Sequence, residues 1–254
     1  MAGVSPRNFT LRTSHLELRT SDMSEQKLFR TYVTPFVVFL ALNLLLWVAE
    51  SSWAWNHPSV GWYRRAPEMW IYPLQVLVCG GYLWYVRRDV EWDWKWKPCL
   101  LGAVTGVVGI AFWLVPYVTG WIPAEEGFDP ASVFGDNQVA VVVEYGFRFL
   151  RAVVIVALVE EFFWRGYLMR WCIDRDFPQN VPLGQGSWLG YAVVTVAFML
   201  VHRPVDYAGA LVYGSLAYAL VVYTKRLTPV IVMHAAANLI MGICAIRLNL
   251  PHLW

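Results

Sequence analysis

Apolar positions along this chain gather into long runs, at residues 32–49, 69–86, 99–120, 139–163, 188–202, 207–223 and 229–247. A helix rises about 1.5 Å per residue, so roughly 20 apolar residues span a hydrocarbon core. Gly and Pro inside several runs are compatible with helices in lipid. The pattern therefore predicts an all-α fold, a polytopic transmembrane helix bundle of about seven spans. The fifth and sixth runs are short and are joined by Arg203, Pro204, Val205 and Asp206, which predicts a tight helical hairpin. Gly102 and Gly106 in the third run, and Ala210 and Gly214 in the sixth, place small residues one turn apart, where helix backbones approach closely.

The polar positions between the runs set an orientation, because Lys and Arg are enriched in cytoplasmic connections. Alternate segments, starting with the N-terminal one, hold fourteen Lys and Arg against four in the others. Without Arg7, Arg12 and Arg19 the ratio is still eleven to four. The third connection has no basic residue and carries Glu125, Glu126, Asp129 and Asp136. The N-terminus is expected in the cytoplasm and the C-terminus outside. Residues 1–22 are polar, no cleavable signal peptide is expected, and Met1 and Met23 are both compatible starts. The segment Val90 to Pro98 alternates Trp with charge and is read as part of an interfacial belt.

Composition sharpens the class. Hydrophobic residues make up 58% of the 254 and charged residues only 15%, against roughly 25% charged in a soluble domain. A net charge of +2 gives no reason to expect nucleic acid. Cys79, Cys99, Cys172 and Cys244 are far apart and form no CxxC, so neither a disulfide framework nor a zinc site is read from them.

Against this background, a few polar residues inside the runs stand out. Glu161 and Arg165 are four apart, acid first, and can pair on one helix face. Glu160 points about 100° away from Glu161 and has no partner in its own helix. Phe198 and His202 share a face in FMLVH, and His234 and Asn238 share one in HAAAN. Intramembrane ionisable groups turn inward and find partners on other helices. A carboxylate, two imidazoles and an amide can serve as general base, proton carriers and oxyanion donors. Spacing alone does not rank His202 above His234. Counting along the helices puts Glu160 near the cytoplasmic end and His202 at the far end of its short helix. The two meet only if the fourth helix protrudes outside and continues inward past Trp171 while the fifth stops short, leaving Arg165 and Arg170 to snorkel to the inner surface. Glu144, Arg148 and Arg151 form a separate stripe, read as a structural ion pair against a neighbouring helix. At 100° per residue Arg151 faces away from Glu160.

The sequence resembles a known family at these residues. EEFFWR fits EExxxR, FMLVH fits FxxxH and HAAAN fits HxxxN, in that order. This is the pattern of the CPBP intramembrane proteases, the CAAX prenyl endopeptidase and bacteriocin-processing family. The resemblance covers about residues 139–245, and the look is nearest to bacterial CAAX-protease-related members. It implies that Glu160 is the base for a water, acting with His202, that His234 and Asn238 stabilise the oxyanion, and that Glu161 and Arg165, with Phe198, support the site. Together with the apolar runs it gives the expected domains: residues 1–30 a polar, flexible tail, 31–126 three transmembrane helices that carry no motif of the family, and 127–254 a CPBP-like catalytic helical core.

The expected function is thus an intramembrane endopeptidase. It would cut a peptide bond near the C-terminus of a membrane-associated protein, lipidated or not, from a site opening toward the cytoplasmic half. The partners are that protein or peptide substrate and the lipid bilayer. The location is a cell membrane, the bacterial inner membrane by its family likeness. No cofactor is expected. Zinc held by Glu160, Glu161, His202 and His234 is the alternative, although no HExxH occurs. A non-catalytic partner-binding or bacteriocin-immunity protein, and a proton-coupled transporter, are the competing functions.

Overall fold

The computed structural model describes residues 24–55, 57, 59–123 and 125–253. The polar residues 1–22, the choice between Met1 and Met23, and Arg7, Arg12 and Arg19 lie outside the described residues. Long helices carry the fold: α1 Glu25–Trp53, α2 Glu68–Val86, α3 Trp96–Val118, α4 over residues 138–171, α5 Trp188–Leu200, α6 Tyr207–Thr224 and α7 Thr228–Arg247. Each coincides with one of the apolar runs, and the described residues contain no strand. Four segments are long and apolar enough to cross a membrane: α1, α3, Pro204–Thr224 and α7. Of the others, α5 has 13 residues, and α4 carries Glu144, Arg148, Arg151, Glu160, Glu161 and Arg165.

The first helix begins inside the stretch expected as tail. Ser24 Oγ accepts the Lys27 N–H at 3.3 Å, capping the helix that starts at Glu25. Leu28 and Tyr32 are buried. The Tyr32 ring lies 5.4 Å from Phe162, and Phe36 stacks on Phe163 at 4.4 Å. The start of α1 thus covers the last third of α4. This explains why Arg165 and Arg170 do not snorkel: both are buried within the bundle, and the Arg170 guanidinium lies 5.7 Å from the Tyr32 ring. The fourth helix ends at Trp171 and does not continue past it.

Connections fall on two faces, each tied by its own polar contacts. On one, Asp89 accepts Arg30 at 2.8 Å and meets Lys27 at 3.1 Å, Asp93 pairs with Arg226, and Lys225 donates to Gly184 O at 2.8 Å. This basic face also holds Trp92 and Trp94, stacked at 5.7 Å, with Trp94 and Trp96 exposed. On the other face, Arg203 donates to Glu125 at 3.3 Å, the Glu125 N–H donates to His252 Nδ1 at 3.1 Å, and Arg65 reaches Val133 O at 3.5 Å. The hairpin of α5 and α6 turns there through residues 201–206.

The closest packing joins α3 to α7. A Cβ at Gly102 would collide with the Pro229 carbonyl, and one at Gly106 with the Met233 carbonyl. These neighbours are backbone and cannot swing aside. Gly106→Leu is therefore expected to push α7 off α3 and cost about 1–3 kcal/mol or more. Fluorescence-detected size-exclusion chromatography after heating in detergent would measure this as a lower melting temperature.

The stripe in the first half of α4 packs against α1 and α2. Glu144 and Arg148 are buried. The Arg148 guanidinium lies 4.4 Å from the Tyr72 ring, and that of Arg151 lies 4.5 Å from the same ring. Arg151 donates to Gln75 and, at 3.1 Å, to Asn43 Oδ1. The neighbouring helices thus offer Arg151 amides and an aromatic face.

Candidate active site

The acid pair sits on a short α-helical stretch, Ala157–Glu161, between two segments of wider π-type winding, Leu150–Val156 and Phe162–Leu168. Such windings are rare and concentrate at functional sites. They also change the angle per residue from the 100° of an α-helix; Arg151, expected to face away from Glu160, bonds Gln75 and Asn43.

Glu161 lies at the centre of a buried network. Its Oε1 accepts Arg165 Nη1 at 3.0 Å and His234 Nδ1 at 2.7 Å, and both Glu161 and Arg165 are fully buried. The paired acid and arginine are those expected from the i, i+4 spacing. The link from Glu161 across to His234 on α7 was not expected. With Nδ1 donating to the carboxylate, the Nε2 edge of His234 is left for the cavity.

His202 lies just beyond the end of α5, and its ring folds back so that Nδ1 meets Phe198 O at 2.7 Å. A carbonyl only accepts, so Nδ1 carries the proton and Nε2 is the free position. Phe198 is buried and holds the ring of His202 at 4.7 Å between centroids, with the Arg165 guanidinium 5.1 Å away. Asn238 donates to Ala152 O at 2.7 Å, in the first π-type segment. One N–H of that amide remains unused by this bond. Glu160 makes no hydrogen bond among the described residues.

These side chains border one cavity of about 330 Å³, lined among others by Glu160, Phe198, His202, His234 and Asn238. The structure therefore brings together the acid, both imidazoles and the amide. Glu161 and Arg165 stand behind His234, outside the lining. Among the described residues, no group of three or more His, Cys, Asp or Glu side chains is arranged to hold a metal ion.

Several lining residues escaped the sequence reading. Ile110 and Trp113 come from α3, Tyr213 from α6, Asp206 from the hairpin turn, and His252 from the C-terminal segment. Asp206 accepts Trp113 Nε1 at 2.9 Å and the Tyr117 hydroxyl at 2.5 Å, and pairs with Arg203 at 3.2 Å. Burial tends to lower the basicity of Arg203, but Asp206 and Tyr117 outweigh it, and the guanidinium is held above its ordinary range. Trp113 and Tyr117 are four apart in α3, which is the spacing that could have flagged a shared partner. His252 has no periodic context to mark it. The cavity also differs from expectation in its placement: its outer lining, Val201, Arg203, Asp206, His252 and Leu253, belongs to the face opposite the basic connections.

Residues 143–240 match the model of one protein family, type II CAAX prenyl endopeptidase, Rce1-like, a family of proteases. The matched segment contains all three motifs, from Glu160 to Asn238. No curated protein and no solved structure matches the chain.

Proposed function

We propose, from the match of residues 143–240 to the type II CAAX prenyl endopeptidase family model, that the protein is an intramembrane endopeptidase in which Glu160 activates a water molecule. The substrate is a membrane-anchored protein or peptide, cut near its C-terminus. The protein is multi-pass in a cell membrane, with α1 to α7 all crossing and the basic face cytoplasmic.

One observation carries this reading. A single cavity is bordered by a carboxylate without a hydrogen bond, two imidazoles engaged through Nδ1, and a half-used amide. In the proposed step Glu160 takes a proton from water, with His202 Nε2 holding that water, as the oxygen attacks the carbonyl carbon. Asn238 donates to the oxyanion, and so does His234 in its imidazolium form, with Nδ1–H on Glu161 and Nε2–H toward the cavity; one such donor contributes about 3–4 kcal/mol at low dielectric. The C–N bond then breaks, and the proton on Glu160 passes to the leaving amine.

The test uses the protein in lipid nanodiscs with farnesylated and unmodified peptides ending in Cys-aliphatic-aliphatic-X, and mass spectrometry of the products. Cleavage lost in Glu160→Ala supports the proposal, and full activity in that variant removes the mechanism. Capture of a partner that survives Glu160→Gln and His202→Ala, with no cleavage, would establish a binding protein instead. Treatment with 1,10-phenanthroline is expected to leave the rate unchanged, because Glu161 Oε1 is already shared by Arg165 and His234. Inactivation reversed by added zinc would replace the glutamate-water step with metal chemistry.

A further inference from the structure

The cavity is closed toward the basic face. Between Glu160 and that face lie Phe162, Trp164, Arg165, Val194 and Val230, all buried. The helix ends on that side, at Trp96, Trp171, Trp188, Thr224 and Thr228, are absent from its lining. Its wall runs instead from Glu160 and His234 through Trp113 and Met241 to Val201, Arg203, Asp206 and His252, on the face of the connections 119–137 and 201–206.

The charge bias between the two faces is independent of the cavity. Lys27, Arg30, Arg87, Arg88, Lys95, Lys97, Arg175, Lys225 and Arg226 lie on the connections or at the helix ends of the closed face. Arg64, Arg65, Arg203 and Arg247 lie on or beside those of the open one. Arg165 and Arg170, once placed inside the bundle, drop out of this comparison without changing its sign. By the positive-inside rule the closed face is cytoplasmic.

We propose that the site takes its substrate from the non-cytoplasmic face, so that its substrate class is a membrane-anchored polypeptide whose scissile bond lies on that side. The substrate part of this proposal rests on the endopeptidase reading above; the access part does not. A peptide threading from the open face passes Arg203 and His252 before reaching Glu160. His252 lines this route, and its Nδ1 accepts the Glu125 N–H. Its Nε2 is buried and has no hydrogen-bond partner among the described residues.

The experiment labels single cysteines with a membrane-impermeant sulfonated maleimide, in a full-length background whose four native cysteines are replaced by serine. Asp136→Cys marks the open face, Lys97→Cys the closed face, and Met241→Cys the cavity. In intact spheroplasts, Asp136→Cys and Met241→Cys are expected to label at least tenfold faster than Lys97→Cys, which reacts only after lysis. A cavity cysteine that labels with Lys97→Cys, or a marker order that is reversed, overturns the proposal. The same preparations in detergent are assayed for peptide cleavage. The expected labelling without any cleavage upholds the access route and overturns the endopeptidase reading and the substrate class that depends on it.

Discussion

Glu160→Gln is expected to lower peptide cleavage by about 10²–10⁴-fold, the usual contribution of a positioned general base, while leaving the melting temperature of the protein in detergent unchanged. The two halves of this expectation have one cause. Glu160 lines the cavity and makes no hydrogen bond among the described residues. The amide fills the same volume, breaks no internal contact and cannot accept the proton of water. The loss should appear in kcat with little change in KM, since an interaction made only in the transition state is removed. A variant that keeps wild-type kcat would transfer the base role to His202 Nε2. One that loses folding along with activity would show that Glu160 holds helices together. Glu161→Gln, one residue away, separates the cases. It replaces the carboxylate shared by Arg165 and His234 with a neutral amide that adds an N–H donor among their own, so stability and activity are expected to fall together.

The contrast between these neighbours also marks how far the sequence could be read. Helix positions followed from apolar runs because burial in lipid requires them, and α5 and α6 were joined correctly through Arg203–Asp206. The Glu161–Arg165 pair followed from i, i+4 geometry, which depends only on local winding. What depends on helices distant in sequence was less legible. His234 on Glu161, Asn238 on Ala152 O and Asp206 on Trp113 and Tyr117 each need two elements placed at once. The π-type turns around Ala157–Glu161 gave no signal in residue type, yet they undo facing angles counted at 100° per residue. Position along the fourth helix is hard to read for the same reason: its winding is not uniform, and the cover that Tyr32 and Phe36 give its end has no signal in residue type. The motif residues Glu160, His202, His234 and Asn238 share one cavity, and the first three helices, which carry no motif, supply Ile110 and Trp113 to its wall.

Arg165→Met should be the most destabilising single change at the site. The arginine is fully buried, bonded to Glu161 at 3.0 Å, and stacked over Phe198 at 5.1 Å. Removing one partner of a buried ion pair costs about 3–5 kcal/mol because the other charge stays behind. Here that charge is Glu161, left with His234 Nδ1 as its one hydrogen-bond partner. Arg165→Lys is not a mild replacement, since an ammonium does not reproduce the planar fork. The double variant Glu161→Gln with Arg165→Met separates charge from packing. Replacing both members removes the stranded charge, so stability should recover toward wild type. Cleavage should not recover, because His234 no longer has the carboxylate that fixes its Nδ1–H and aims Nε2 at the cavity. Thermal melts and peptide cleavage measured on the same nanodisc preparations would read both quantities. Recovery of activity in the double variant would show that Glu161 serves only to neutralise Arg165, and that His234 needs no partner to do its work.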